Sequence, residues 1–273
     1  MDQEIYGPWQ GKRYDYSDNH KKGLEQLIDT LSELGDDCGV VGIKQSFEDE
    51  GVILDDVLTM RRITDLCNMS LYVKIGGCEA VTDINNCVSI GIDSIIAPMV
   101  ETPFALRKYI DAVKNIQQTN FYFVCESRTA LSNLETMLSS NSAKYLNGMI
   151  VGRSDFTKSY GIDKNEVDSD FINEQVYEAL KLSKKYDLIN TMGGNISIKS
   201  VDFIKRVYAD GYLDKIETRN VVVKLEDHNI DNLINIISRA LSFEIDWLNF
   251  KANNYNSIGS FYLNRAKVLK DRI

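Results

Sequence analysis

Histidine is nearly absent from this chain: His20 and His228 are the two in 273 residues. That scarcity excludes a histidine-rich zinc site and argues against a Ser-His-Asp triad. Basic charge is short as well. Lys and Arg number 31 against 40 Asp and Glu, a formal charge of −9, so a general nucleic-acid binder, which needs a basic face for phosphates, is not expected. No apolar run has the ~20 residues of a membrane-spanning helix. The first nineteen residues, MDQEIYGPWQGKRYDYSDN, are polar and aromatic and lack the apolar core of a signal peptide. The five cysteines (Cys38, Cys67, Cys78, Cys87, Cys125) form no C-x-x-C pair. Several sit in apolar strand-like runs, so buried free thiols in a reducing cytoplasm are expected. No G-x-G-x-x-G follows the first strand, which weighs against a doubly wound dinucleotide fold.

What is present is a regular alternation of short apolar runs and amphipathic segments. Strands are expected at 38–44, 71–77, 94–99, 121–126, 147–152, 188–194 and within 214–224. Helical spacing falls between them at 20–35, 54–67, 79–91, 102–115, 129–140, 172–187 and 197–211, and the tail beyond about residue 230 reads as helical. Pro103 suits the first turn of its helix. Alternation without hairpin signals predicts parallel strands with crossover helices. The expected fold class is α/β, a single (β/α)8 TIM barrel over 1–273, which is an ordinary size for that fold. Residues 1–19 are an irregular arm that would have to hold an irregular eighth strand, and 230–273 form a helical C-terminal extension. A doubly wound open sheet is the second choice.

In such a barrel the chemistry sits where strands run into the following loops. Two acids, Glu126 and Asp155, end consecutive expected strands, which lie roughly 5 Å apart. They can share a hard divalent cation that takes its remaining ligands from water and substrate, as Mg²⁺ commonly does. The alternative is that each acid caps the helix that follows it.

Three stretches carry a resemblance. "GIDSIIAPMVETPFALRKYIDAVK", "CESRTALSNLETML" and "LNGMIVGRSDFTKSYGI" resemble, in order and spacing, motifs of the HpcH/HpaI aldolase and citrate lyase β-subunit family. The resemblance runs from about Gly39 to about Gly194. It implies a TIM barrel that binds a divalent metal, Mg²⁺ first with Mn²⁺ or Co²⁺ as alternatives, and handles pyruvate or another 2-oxo acid as an enolate. Matched residue by residue, Glu126 and Asp155 are the metal-binding acids. Gly152, Arg153 and Ser154 are the loop whose backbone N–H groups receive the substrate carboxylate. An aldehyde is the implied second substrate, with no nucleic acid or membrane partner. The apolar residues Phe243, Trp247, Phe250, Phe261, Tyr262 and Leu263 of the tail, with the resemblance, imply a homo-oligomer.

The chain also departs from that family. Lys74 stands where arginine usually faces the substrate oxygen, keeping the charge without the bidentate fork. Val124 replaces a common glutamine. The base histidine of the aldolase branch is missing, and "KQSFEDEG" stands there, with Glu48 the acid nearest in register. Lys74 and Glu48 are therefore the expected catalytic residues. Three other readings stay open: a Schiff-base aldolase using Lys74 or Lys44, a CoA-ester lyase, and a barrel that has kept its anion site and lost turnover.

Overall fold

Two periodicities build the structure, a computed structural model that describes residues 18–47 and 52–270. The 3.6-residue spacing of Leu24, Leu27, Ile28, Leu31 and Leu34 produces α1 (Asp18–Cys38), whose leucines at 27, 31 and 34 are buried. The β-branched run that follows is β1 (Val40–Ser46). From there strand and helix alternate: α2 (Leu54–Leu66), β2 (Ser70–Lys74), α3 (Val81–Ile90), β3 (Ser94–Ala97), α4 (Pro103–Val113), β4 (Asn120–Cys125), α5 (Arg128–Leu138), β5 (Gly148–Gly152), α6 (Arg153–Ser159), α7 (Asp170–Lys184), β6 (Ile189–Gly193) and α8 (Val201–Ala209). The chain ends with β7 (Lys215–Glu217), β8 (Val221–Lys224) and α9 (Leu233–Lys270).

The eight strands close into a barrel in sequence order. From β1 to β7 every pairing is parallel. The last strand is reversed: β8 pairs antiparallel with both β7 and β1. This corrects the expectation of a single strand within 214–224 and of crossover connections throughout. A turn at Thr218–Asn220 splits the run into a hairpin, and the eighth strand comes from its second arm. Of residues 1–19, expected as an arm that would hold that strand, 1–17 lie outside the described residues and 18–19 begin α1.

The turn carries no glycine or proline. A distant side chain holds it: the Glu244 carboxylate of α9 accepts from Thr218 Oγ1 at 2.6 Å and from the Asn220 backbone N–H at 2.5 Å. Asn220 also donates its side-chain amide to Lys44 O at 2.9 Å, stitching the turn to β1. Two carboxylate bonds of this kind contribute on the order of 1.5–3 kcal/mol each.

The core has two layers. Outward-facing strand residues such as Ile43, Val73, Ile95, Phe123 and Val151 pack under the helices. Inside the barrel, Tyr72, Ile96, Tyr122, Val124, Ile150 and Val222 form a separate plug. With Lys215 Nζ bonded to Tyr72 Oη at 3.2 Å, they floor the interior, so it is a cup and not a pore. Phe243, Trp247 and Phe250 of α9 are buried within this chain, and Phe250 packs on Gly23 and on the His20 ring of α1. Among the described residues, no helix is long and apolar enough to cross a membrane.

Candidate functional site

The open end of the cup is set by strand register. Cys125 pairs with Val151, Gly152 with Gly193, and Met192 with Ile216. One step further along each strand, Glu126, Gly152, Gly193 and Glu217 therefore form a row on the inner wall. Two carboxylates are separated by two residues with no side chain. A Cβ on Gly152 would lie 3.2 Å from Glu126 Oε2, and one on Gly193 would lie 2.6 Å from Glu217 Oε1. The glycines make room for the two glutamate side chains, which pack directly over them.

Both turns beside Glu126 are capped by side chains. Thr102 caps α4 with Pro103 at its first position, accepting from Ala105 N at 3.1 Å. Ser127 caps α5, accepting from Ala130 N at 3.0 Å, and its hydroxyl donates to Glu101 Oε1. These caps fix the chain on either side of Glu126, which is 4% exposed. Glu126 Oε1 accepts the Met99 backbone N–H at 2.8 Å, and Oε2 faces the Lys74 ammonium at 3.8 Å. Lys74, the last residue of β2, points inward and meets Glu126.

A second ion pair stands opposite. Lys44 of β1 donates to Glu217 Oε1 of β7, with the Glu217 side chain 5% exposed. Nothing in the sequence brings residues 173 positions apart together; barrel closure does. Below them Tyr72 is pushed up to about 12, by burial first and then by the Asp93 and Glu217 carboxylates, so its phenol stays neutral. Burial likewise raises the Cys125 thiol to about 12, and that side chain faces the outer core, as strand alternation requires.

The residues after β5 are arranged differently from the sequence expectation. "RSDFTKS" is a short helix, and Asp155 is its third residue, not a strand end. The Asp155 side chain is 54% exposed and bonds Lys158 at 2.9 Å. The Arg153 side chain turns away from the cup. It is fully buried and bonds Asp168 at 2.7 Å and Ser200 Oγ at 2.9 Å, with burial pulling the guanidinium below its ordinary value and Asp168 opposing. The backbone nitrogens of Arg153 and Ser154 lie against Gly194, and Arg153 has no exposed surface. Gly194, at φ +83°, lies so close that a Cβ there would sit 2.6 Å from both nitrogens. Glu48, with Asp49 and Glu50, lies outside the described residues.

Whether the acids fit a cation can be judged from the donors themselves. No three His, Cys, Asp or Glu side chains converge among the described residues. Glu126, a hard carboxylate buried beside Gly152, suits a divalent ion that keeps most of its water and takes substrate oxygens, whereas Asp155, exposed and paired with Lys158, would have to turn inward to join it. The two acids do not fit an all-protein cage.

No protein-family model matches this sequence, and no curated protein matches it. Solved structures match in fold. An HpcH/HpaI aldolase/citrate lyase family protein from Burkholderia cenocepacia J2315 aligns with 81% of this chain and 90% of its own, at TM-score 0.58 and 13% identity. The citrate synthase SbnG aligns with 80% and 88%, at TM-score 0.57 and 12% identity. The HpcH/HpaI aldolase from Desulfitobacterium hafniense DCB-2 aligns with 70% and 81%, at TM-score 0.55 and 10% identity. The barrel of this chain is thus the TIM-type barrel of HpcH/HpaI aldolase and citrate lyase family structures.

Proposed function

We propose that the protein is a carbon–carbon lyase or aldolase acting on pyruvate or another 2-oxo acid through its enolate, with a divalent cation, Mg²⁺ first, held by Glu126 and Asp155. The observation that carries this reading is the buried Glu126 carboxylate, oriented by Met99 N–H and set between the Lys74 ammonium and the side-chain-free Gly152. The fold shared with aldolase and citrate lyase family structures supports it. Five free thiols fit a reducing cytoplasm.

In this reading the N–H groups of Arg153 and Ser154 bind the substrate carboxylate beside Gly194. The Lys74 ammonium faces the oxo oxygen and stabilises the negative charge that gathers there as the C–C bond breaks or forms. The floor of Tyr72, Tyr122 and Lys215 excludes water from below. A cation at the two carboxylates would supply Lewis acidity toward the oxo group. The second substrate is an aldehyde or its equivalent.

Calorimetric titration of Mg²⁺ into the wild type, Glu126→Gln and Asp155→Asn tests the assignment. Loss of binding in both variants is expected, and unchanged affinity in either removes that acid. Lys74→Met should lower turnover more than substrate affinity, and Lys74→Arg should keep it. The two inward lysines at the mouth favour one second reading, a Schiff-base aldolase on Lys44 or Lys74. Borohydride reduction in the presence of pyruvate leaves an adduct on lysine only if that reading holds.

A further inference from the structure

We infer that Glu217 is the proton-transfer residue of this site, taking the C3 proton of the bound oxo acid; this rests on the enolate reading above. Three acids near the mouth are already engaged or turned away. Glu126 accepts the Met99 N–H and faces Lys74, Glu101 accepts the Ser127 hydroxyl, and Asp155 faces solvent beside Lys158. Glu217 is engaged too, through its ion pair with Lys44, but its position sets it apart from Glu101 and Asp155. Its side chain lies on the inner wall in the same row as Glu126, and Oε1 accepts from Lys44. Among the described residues its other oxygen makes no hydrogen bond.

The neighbouring backbone points the same way. Gly194 packs on the N–H groups of Arg153 and Ser154, the proposed carboxylate seat, and Gly193 packs on Glu217 Oε1. Carboxylate seat and glutamate are thus joined by two consecutive glycines: the Glu217 side chain packs over Gly193, and Gly194 lets its strand end approach the Arg153 and Ser154 nitrogens. A three-carbon oxo acid seated at the N–H groups, with its oxo oxygen toward Lys74, presents C3 to the wall that Glu217 occupies. The C3–H bond breaks and its proton goes to the Glu217 carboxylate. The C–H pair becomes the C2=C3 bond, and the oxo π pair moves onto oxygen, opposite the Lys74 ammonium. The protonated Glu217 returns a proton to C3 in the reverse direction. Lys44 acts as a positioning residue that aims the carboxylate.

The plainer role is structural, because Lys44 and Glu217 also brace the reversed strand from its two neighbours. Pyruvate C3 exchange in deuterated buffer with Mg²⁺, followed by proton NMR, separates the two, with oxalate binding by calorimetry as the readout of an intact site. Glu217→Gln should lower exchange by about 100-fold or more while oxalate affinity stays within about threefold. Glu217→Asp keeps the charge for Lys44 and withdraws it by one methylene, so it should lose about 10-fold or more in rate with oxalate binding kept. Wild-type exchange rates in either folded variant overturn the assignment. So does a rate loss matched by an equal loss of oxalate affinity, which marks the pair as structural. No exchange in the wild type overturns the enolate reading itself and the role of Glu217 with it.

Discussion

The Met99 backbone N–H donates to Glu126 Oε1 at 2.8 Å, and Met99 adopts φ +52°. A non-glycine residue in the left-handed region costs on the order of 1 kcal/mol or more and persists where surrounding contacts demand it. Here the demand comes from a buried carboxylate. Met99→Gly should keep the N–H, relieve the backbone and leave stability within about 1 kcal/mol of wild type. Met99→Pro removes the donor and cannot reach that φ, so it should lose at least the roughly 1.5–3 kcal/mol of a bond to a charged group. Urea unfolding of both variants checks the contrast.

Gly194 should be intolerant for two reasons that separate experimentally. Its φ of +83° penalises any side chain, and a Cβ would crowd the N–H groups of Arg153 and Ser154 at 2.6 Å. Gly194→Ala is expected to cost about 1–2 kcal/mol of stability and to abolish oxalate binding. A folded variant that binds oxalate normally would remove the carboxylate from this seat.

The Arg153–Asp168 pair should break asymmetrically. Arg153 has no exposed surface, whereas the Asp168 side chain is 20% exposed. Asp168→Ala strands a buried guanidinium and should cost about 3–5 kcal/mol. Arg153→Leu leaves an acid that can turn to water and should cost less. Thermal unfolding of the two variants measures the difference, and the reverse order would contradict the burial argument.

Much of the barrel is legible in the sequence because its strands are short β-branched runs between helices with clear periodicity. Glu126 is legible for the same reason, since an acid directly after a run such as FYFVC falls on a strand end. The reversed strand is not. "ETRNVVVK" has no glycine or proline and only Asn220 as a turn residue, and what holds the bend is Glu244, more than twenty residues away on another element. The short helix after β5 is hidden as well, because seven residues are too few to display a period. That is why Asp155 reads as a strand end although it stands on a helical turn. The Lys44–Glu217 pair is invisible locally because its partners meet only when the barrel closes.

Alkaline stability should report the buried thiols. Cys87 and Cys125 are each raised from 9.0 to about 12, by burial first and then by the nearby acids Asp83 and Glu126 respectively. A raised folded value favours the neutral thiol, so the contribution is complete below pH 9 and is lost as pH rises from 9 to 12. Each thiol should remove about 1.4 kcal/mol per pH unit across that window. Urea midpoints at pH 8 to 11 test this, and Cys125→Ala should flatten the slope.

The proposed function turns on one step, the formation of an enolate from a 2-oxo acid with the help of a divalent cation at Glu126. Proton NMR of pyruvate in deuterated buffer with the wild-type protein measures that step without knowledge of the second substrate. Loss of the C3 methyl signal is expected with Mg²⁺ present, with suppression by a chelator and in Glu126→Gln. A methyl signal that decays no faster than in protein-free buffer, with Mg²⁺ saturating, would contradict the proposed function.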